Sequence, residues 1–148
     1  MSPVDRCSVH FRFSGPALDV DALLAGARPA GAHEVWRRGD PLDGGQRART
    51  SGLQIEIGDF EDAADGVEAV EGFVGAEAAF LAAVGAAATG ETLAVLAFAL
   101  WVRADEPVGV TLEPDLAARL ASAGLAVEVT GYPTADDDSP ESYGERGT

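Results

Sequence analysis

Hydrophobic and polar residues alternate most regularly near the start of the chain, over residues 7–13. This stretch places its apolar residues on one face, and these are Cys7, Val9, Phe11 and Phe13. Strict alternation is typical of a half-buried strand. Residues 20–25 then have the spacing of a short helix, with Asp19 as its N-cap and Leu23 and Leu24 as its buried side.

The next part of the chain predicts two strands joined by a loop. Residues 34–38 form the first predicted strand, and residues 51–57, in which apolar and polar side chains alternate again, form the second. Residues 39–50 between them are polar and rich in glycine, which favours a loop.

The pattern changes to a helical period over residues 60–88. One continuous helix would place Glu77 within its apolar stripe, so we predict two helices, over residues 60–71 and from Gly75 onward, separated near Gly72. The inward residues of the first would be Phe60, Ala63, Ala64, Val67 and Val70, and those of the second Phe80, Leu81 and Val84. Glu77 would then lie in a first helical turn, where the helix dipole favours a carboxylate.

The last elements are a buried strand, a helix and a final strand. Residues 93–102 are apolar on both faces, which predicts a strand inside a sheet. Pro114 suits the first turn of a helix that Gly124 ends, and residues 125–132 alternate once more. The order β-α-β-β-α-α-β-α-β predicts an α+β fold with a mixed, mainly antiparallel sheet of about five strands and three to four helices.

Length and composition predict one domain, residues 1–132, and a disordered acidic tail, residues 133–148, which has too little apolar surface to offset its ordering entropy. The 148-residue chain has 25 acidic and 10 basic residues, a net charge of −15. This charge disfavours nucleic acid and anionic membranes and favours a basic protein partner. The N-terminus does not resemble a signal peptide, and the longest apolar run is too short to span a membrane, so we predict a soluble, cytoplasmic protein.

Few residues are arranged for catalysis or metal binding. Cys7 is the sole cysteine, and His10 and His33 are the sole histidines, so a metal site lacks ligands and no cofactor is expected. The chain has no lysine for a phosphate-binding loop, and no sequence motif singles out a nucleophilic residue, so no catalytic residue is assigned. The carboxylates over residues 59–71 follow the pattern of a solvated helix face.

One segment departs from the acidic character of the chain. Residues 28–49 contain five arginines against three carboxylates, next to Trp36. Guanidinium groups bind carboxylates and phosphates through two hydrogen bonds, and tryptophan stacks on planar ligands. The candidate ligand-binding residues are Trp36, Arg37, Arg38, Asp40, Arg47 and Arg49. The alternative is that these arginines neutralise the protein's own acidic helix, while Trp36 packs in the core or as a lid.

Three motifs resemble a widespread bacterial family, domain of unknown function 4279. They lie at residues 11–15, 24–29 and 36–41, the last reading Trp-Arg-Arg-Gly-Asp-Pro, and the similarity covers residues 8–132. Members commonly carry an aromatic residue where this chain has Leu53, and often an acid where it has Thr130. The resemblance implies a fold but no established activity.

Two functions therefore follow from the sequence as hypotheses. The first is a binding or interaction protein, of the small acidic immunity-protein type that neutralises a basic toxin or nuclease, because charge complementarity accelerates encounter. The second is a domain that binds, or acts on, an anionic small molecule through residues 36–49. The sequence does not indicate the oligomeric state.

Overall fold

The computed structural model describes residues 4–31, 33–103, 107 and 109–134. The strands are β1 (Val4–Gly15), β2 (His33–Trp36), β3 (Ser51–Phe60), β4 (Leu93–Arg103) and β5 (Ala126–Thr134). The helices are α1 (Val20–Gly26), α2 (Ala63–Ala76), α3 (Ala78–Ala87) and α4 (Pro114–Ser122). The predicted α+β class and order of elements are confirmed, and the loop between β2 and β3 adds one short 3-10 turn, Asp43–Gly45.

The five strands form one mixed sheet in the order β2-β3-β1-β4-β5. All neighbours are antiparallel except β4 and β5, which are parallel because α4 forms the crossover between them. β1 is central and β4 lies inside the sheet, as the apolar run at 93–102 predicts. β2 and β5 are the two edges, and they differ in length: four residues against nine.

A single hydrophobic core holds the helices against one face of this sheet. The inward residues of β1, β3 and β4 form one buried cluster with side chains from all four helices. Phe11 is fully buried, with its ring centroid 5.8 Å from that of Phe73 and 5.9 Å from that of Phe80. Aromatic pairs at this separation add to the stability that apolar burial provides.

The opposite face of the sheet carries the polar half of the alternation. The register places His10 beside Glu56 on β3 and Ala97 on β4, and Ala97 in turn beside Glu128 on β5. Since every helix contributes to the single core, we call this second surface the open face.

The boundary between α2 and α3 differs from the prediction. Phe60 ends β3, Asp62 caps α2, and α2 continues through Gly72 to Ala76, so the break falls at Glu77. The two helices meet at 79°. Glu77 has non-helical dihedral angles, and its carboxylate accepts a hydrogen bond from the Ala30 N–H at 2.9 Å instead of capping α3. The spacing of apolar residues predicted two helices, but a long-range contact determines the residue at which the first ends and the second begins.

Two smaller corrections concern strand ends. β2 ends at Trp36, so Arg37 and Arg38 follow the strand instead of belonging to it. β5 continues to Thr134, whose hydroxyl donates to the Val102 carbonyl at 3.0 Å, so the first two residues of the predicted tail belong to the sheet. The remaining tail, 135–148, lies outside the described residues.

No helix of the described chain is both long enough and apolar enough to cross a membrane by itself. The bent pair α2 and α3 would satisfy that test only by joint length and composition.

Candidate functional site

Trp36 packs against the backbone of the neighbouring strand. The side chain is partly buried, and its indole N–H donates to the Thr50 hydroxyl at 3.2 Å. Gly52 lies opposite Trp36 in the register, and a Cβ atom there would lie 2.5 Å from a ring carbon of Trp36. The glycine therefore makes room for the ring, which favours the packing interpretation of Trp36.

Arg37 is tied to the first helix by a two-point ion pair. Its Nε and Nη2 atoms lie 2.9 and 2.6 Å from the two carboxylate oxygens of Asp21 on α1. This pairing lowers the pKa of Asp21, chiefly through the hydrogen bond from Arg37, and raises the pKa of Arg37 for the same reason. Asp40 accepts the Arg37 backbone N–H at 2.7 Å. The forked hydrogen-bonding face of Arg37 is thus occupied by the protein itself.

The other three candidate arginines do not share a binding site. Arg38 donates to the Pro16 carbonyl at 3.3 Å, and its backbone N–H donates to the Ser51 hydroxyl. Arg47 donates to the Gly39 carbonyl at 2.9 Å. Arg49 is exposed and forms no hydrogen bond or ion pair with the described residues. The guanidinium groups of Arg38 and Arg47 therefore hold loop backbone rather than a shared cleft.

One cleft does contain basic side chains from this region. It has a volume of about 470 Å³ between α1 and β2, and Arg28, His33 and Arg37 line it together with Asp21. Of the six candidate residues, Arg37 alone lines this cleft. Arg28 and His33 join it through the tertiary packing of α1 on the sheet, which the local sequence pattern does not reveal.

Two of the acidic residues that precede α2, Asp59 and Asp62, have structural roles. Asp62 caps the helix by accepting the Asp65 N–H at 2.9 Å, and Asp59 accepts a hydrogen bond from the Ser8 hydroxyl. Both carboxylates also lie near buried Cys7, whose pKa rises to about 11, first through burial and then through Asp62 and Asp59. The Cys7 thiol is consequently protonated and part of the core.

Two acidic residues within α2 line a groove together with a third from a distant segment. Glu68 and Glu71 share one face of α2, and Glu113 faces them from the segment that leads into α4. The groove between them has a volume of about 530 Å³ and is also lined by Val67 and Thr111. Within the described residues, no hydrogen bond or ion pair engages these three carboxylates. We call Glu68, Glu71 and Glu113 the acidic groove.

The ion pairs of the described residues bear on the interpretation in which the arginines neutralise the acidic helix. If the arginines of residues 28–49 neutralised the acidic helix, they would contact α2. The ion pair between Arg37 and Asp21 is the one formed among the described residues, and it involves α1. The α2 carboxylates therefore keep their charge available at the surface. The sequence pattern assigned Glu68 and Glu71 to a solvated helix face and had no signal for Glu113, because the groove depends on how two distant segments pack.

His10 is the one titratable side chain with an unsatisfied buried atom in the described residues. Its Nε2 is buried and has no hydrogen-bond partner. Burial lowers the pKa of His10 below its ordinary value of 6.5, with an opposing contribution from Glu56. No group of three or more His, Cys, Asp or Glu side chains within the described part of the chain could hold a metal ion.

Comparison with family models, with curated proteins and with solved structures finds no match to the chain. The resemblance to domain of unknown function 4279 therefore stays a prediction.

Proposed function

We propose that the protein is a small binding protein that holds a basic protein partner through the acidic groove. The observation that carries this proposal is that Glu68, Glu71 and Glu113 line one groove and have no cationic partner among the described residues. Carboxylates with no internal partner keep their full attraction for an external cation.

The electrostatics of the whole chain support the same proposal. A net charge of −15 attracts a cationic protein over distances up to the Debye length, about 10 Å at 0.1 M salt. Such steering raises association rates more than it raises affinity. An immunity-protein-like role, in which the partner is a basic toxin or nuclease and both act in the cytoplasm, is the finer form of the proposal.

A capture experiment with matched variants tests it. The chain is immobilised and exposed to lysate of its source cell at moderate salt, beside a variant with Glu68→Gln, Glu71→Gln and Glu113→Gln. The control carries Glu34→Gln, Asp43→Asn and Glu91→Gln, which remove the same charge from exposed positions outside the groove. The proposal expects a basic protein that the wild type and the control retain and the groove variant loses. Equal recovery by both variants, or recovery of no protein, would contradict it.

A second candidate function is the binding of an anionic small molecule, at the cleft between α1 and β2 instead of along residues 36–49. The cleft between α1 and β2 has Arg28, His33 and Arg37 on its walls, so an anion there would meet two guanidinium groups. Asp21 occupies one of them, which leaves less charge to attract the ligand. Arg28→Gln should abolish thermal stabilisation by a screened carboxylate or phosphate ligand, whereas Arg49→Gln, outside the cleft, should leave it intact.

A further inference from the structure

The β5 edge of the sheet is long and exposes apolar side chains. β5 pairs with β4 on one side and with no other strand within the described residues. Five large hydrophobic residues are exposed in the described chain, and three of them are on β5: Val127 at 37%, Val129 at 50% and Tyr132 at 45%. An edge of this kind offers unpaired backbone groups to an added strand.

The two faces of β5 differ in chemistry. Val127 and Val129 lie beside Leu96 and Phe98 in the register, so their side chains are on the face of the sheet that the helices cover. The helices do not extend as far as β5, and neither valine belongs to the core. Glu128 and Tyr132 are on the open face, because their neighbours on β4 are Ala97 and Trp101. The side chains of a strand added to β5 would therefore alternate between two environments. Those on one face would lie beside apolar groups, and those on the other face would lie beside acidic or aromatic groups.

Tyr132 ends a row of stacked groups that crosses the open face. The Arg6 guanidinium carbon lies 4.1 Å from the centroid of the Trp101 ring, and the Trp101 and Tyr132 rings stack at 5.3 Å with 23° between their planes. The register runs from Arg6 through Trp101 to Tyr132. The ring of Tyr132 is the outermost layer, so a further guanidinium group beyond the edge would continue the same cation–π arrangement.

We propose that β5 accepts, by strand addition, an extended segment of the basic partner in which Arg or Lys alternates with apolar residues. The apolar residues would extend the Val127 and Val129 row, and the basic ones would lie beside Glu128 and Tyr132. This inference rests on the proposed function, because it takes the same basic partner and adds a second contact that holds it. β2 is unsuited to that role, since it has four residues and Trp36 ends it.

Charge selects this occupant over a second copy of the chain. Pairing β5 with its own copy would bring together two molecules that each carry −15 and would repeat Glu128 on the shared face. Like charges on adjacent strands destabilise pairing, whereas opposite charges stabilise it. A segment with Arg at alternate positions removes this repulsion.

Two synthetic peptides test the inference. The probe is an octapeptide of alternating Arg and Val with blocked ends, and its control is the same peptide N-methylated at every amide, which keeps the charge but leaves neither edge of the peptide able to pair as a strand. Nitrogen-labelled full-length protein is titrated with each. We expect the probe to slow hydrogen exchange of alternate β5 amides within 126–134, and to bind about tenfold more tightly than the control.

Two variants locate the contact. Val129→Lys places a cation on the edge, and Leu93→Lys adds the same charge at a side chain that is 53% exposed at the start of β4. The inference expects Val129→Lys to weaken probe binding about tenfold and Leu93→Lys to weaken it less than twofold. Glu68→Gln with Glu71→Gln should leave the β5 exchange protection in place.

Each other outcome overturns the inference. Probe and control binding equally, with spectral changes at the acidic groove, would remove the β5 contact and leave the proposed function standing. Failure of the probe to bind would remove the strand-addition mode. Protection of the β5 amides that point away from β4, seen without the probe, would show that the edge is occupied, by a second copy if the protein sediments as a dimer or by its own chain if it sediments as a monomer.

Discussion

Arg37 and Asp21 form the ion pair that fastens the segment after β2 to α1. The contact uses two nitrogens of the guanidinium group and both carboxylate oxygens, at 2.9 and 2.6 Å. Arg37→Gln removes the positive charge and the two-point contact, so the pKa of Asp21 should rise toward its ordinary value. A carboxyl titration followed by carbon NMR measures this shift directly. Arg49→Gln, which removes an exposed arginine with no described partner, should leave the Asp21 titration unchanged.

The contact between Trp36 and Gly52 gives a prediction about packing. Gly52→Ala would place a Cβ atom 2.5 Å from both the Phe13 carbonyl oxygen and the Trp36 ring, so one strand must shift. Overpacking of this kind costs about 1–3 kcal/mol of unfolding free energy. Gly131→Ala on β5 meets no atom within 4 Å and serves as the control. Urea unfolding should show a lower midpoint for Gly52→Ala alone; equal midpoints would contradict the packing role of Trp36.

Two glycines of α2 should respond in opposite directions to alanine. Gly72 meets nothing within 4 Å, and alanine is the better helix former by about 1 kcal/mol, so Gly72→Ala should stabilise the fold. At Gly66 a Cβ atom would lie 2.9 Å from the Cys7 sulfur and 3.1 Å from a methyl carbon of Val9, both fully buried. Gly66→Ala should therefore lower the unfolding midpoint. A gain in stability at Gly66 would show that α2 does not approach β1 so closely.

The burial of His10 predicts a dependence of stability on pH. Its pKa in the folded protein lies below 6.5 because burial penalises the charged imidazole, and Arg12 acts in the same direction, while Glu56 and Glu128 oppose both. The unfolded chain therefore binds the proton more readily, so the free energy of unfolding falls as pH drops below about 6.5. Urea unfolding from pH 7.5 to 5.0 measures the effect. His10→Gln should lose less stability over that interval, and equal losses would assign the pH dependence to other groups.

The fold followed from the sequence because its determinants are local. Alternation along β1, the Asp19 cap and the positions of Pro114 and Gly124 each specify an element from a few neighbouring residues. The break at Glu77 escaped prediction because the Ala30 N–H, 47 residues away, holds the carboxylate. Glycine at 72 was a misleading signal, since an exposed helix face tolerates it.

The candidate sites were less predictable because sites depend on tertiary contacts. The arginines of the motif at residues 36–41 made it a candidate site. In the structure, however, the guanidinium group of Arg37 binds Asp21 and that of Arg38 binds a backbone carbonyl. The acidic groove required Glu113 to pack beside α2, and the exposure of Val127 and Val129 required the helix layer to end before β5. The spacing of residues along the sequence predicts neither of these two tertiary arrangements.

If the acidic groove draws in and holds a basic partner, the charges of the groove set how fast that partner associates. The association rate constant of the captured partner, measured at low and at physiological salt, therefore tests the proposed function. The groove variant with Glu68→Gln, Glu71→Gln and Glu113→Gln is compared with the control that carries Glu34→Gln, Asp43→Asn and Glu91→Gln. We expect a rate about tenfold lower for the groove variant at low salt, a difference that shrinks as salt rises, and a near-wild-type rate for the control. Equal rates for the two variants, which have the same net charge, would contradict a role for the groove.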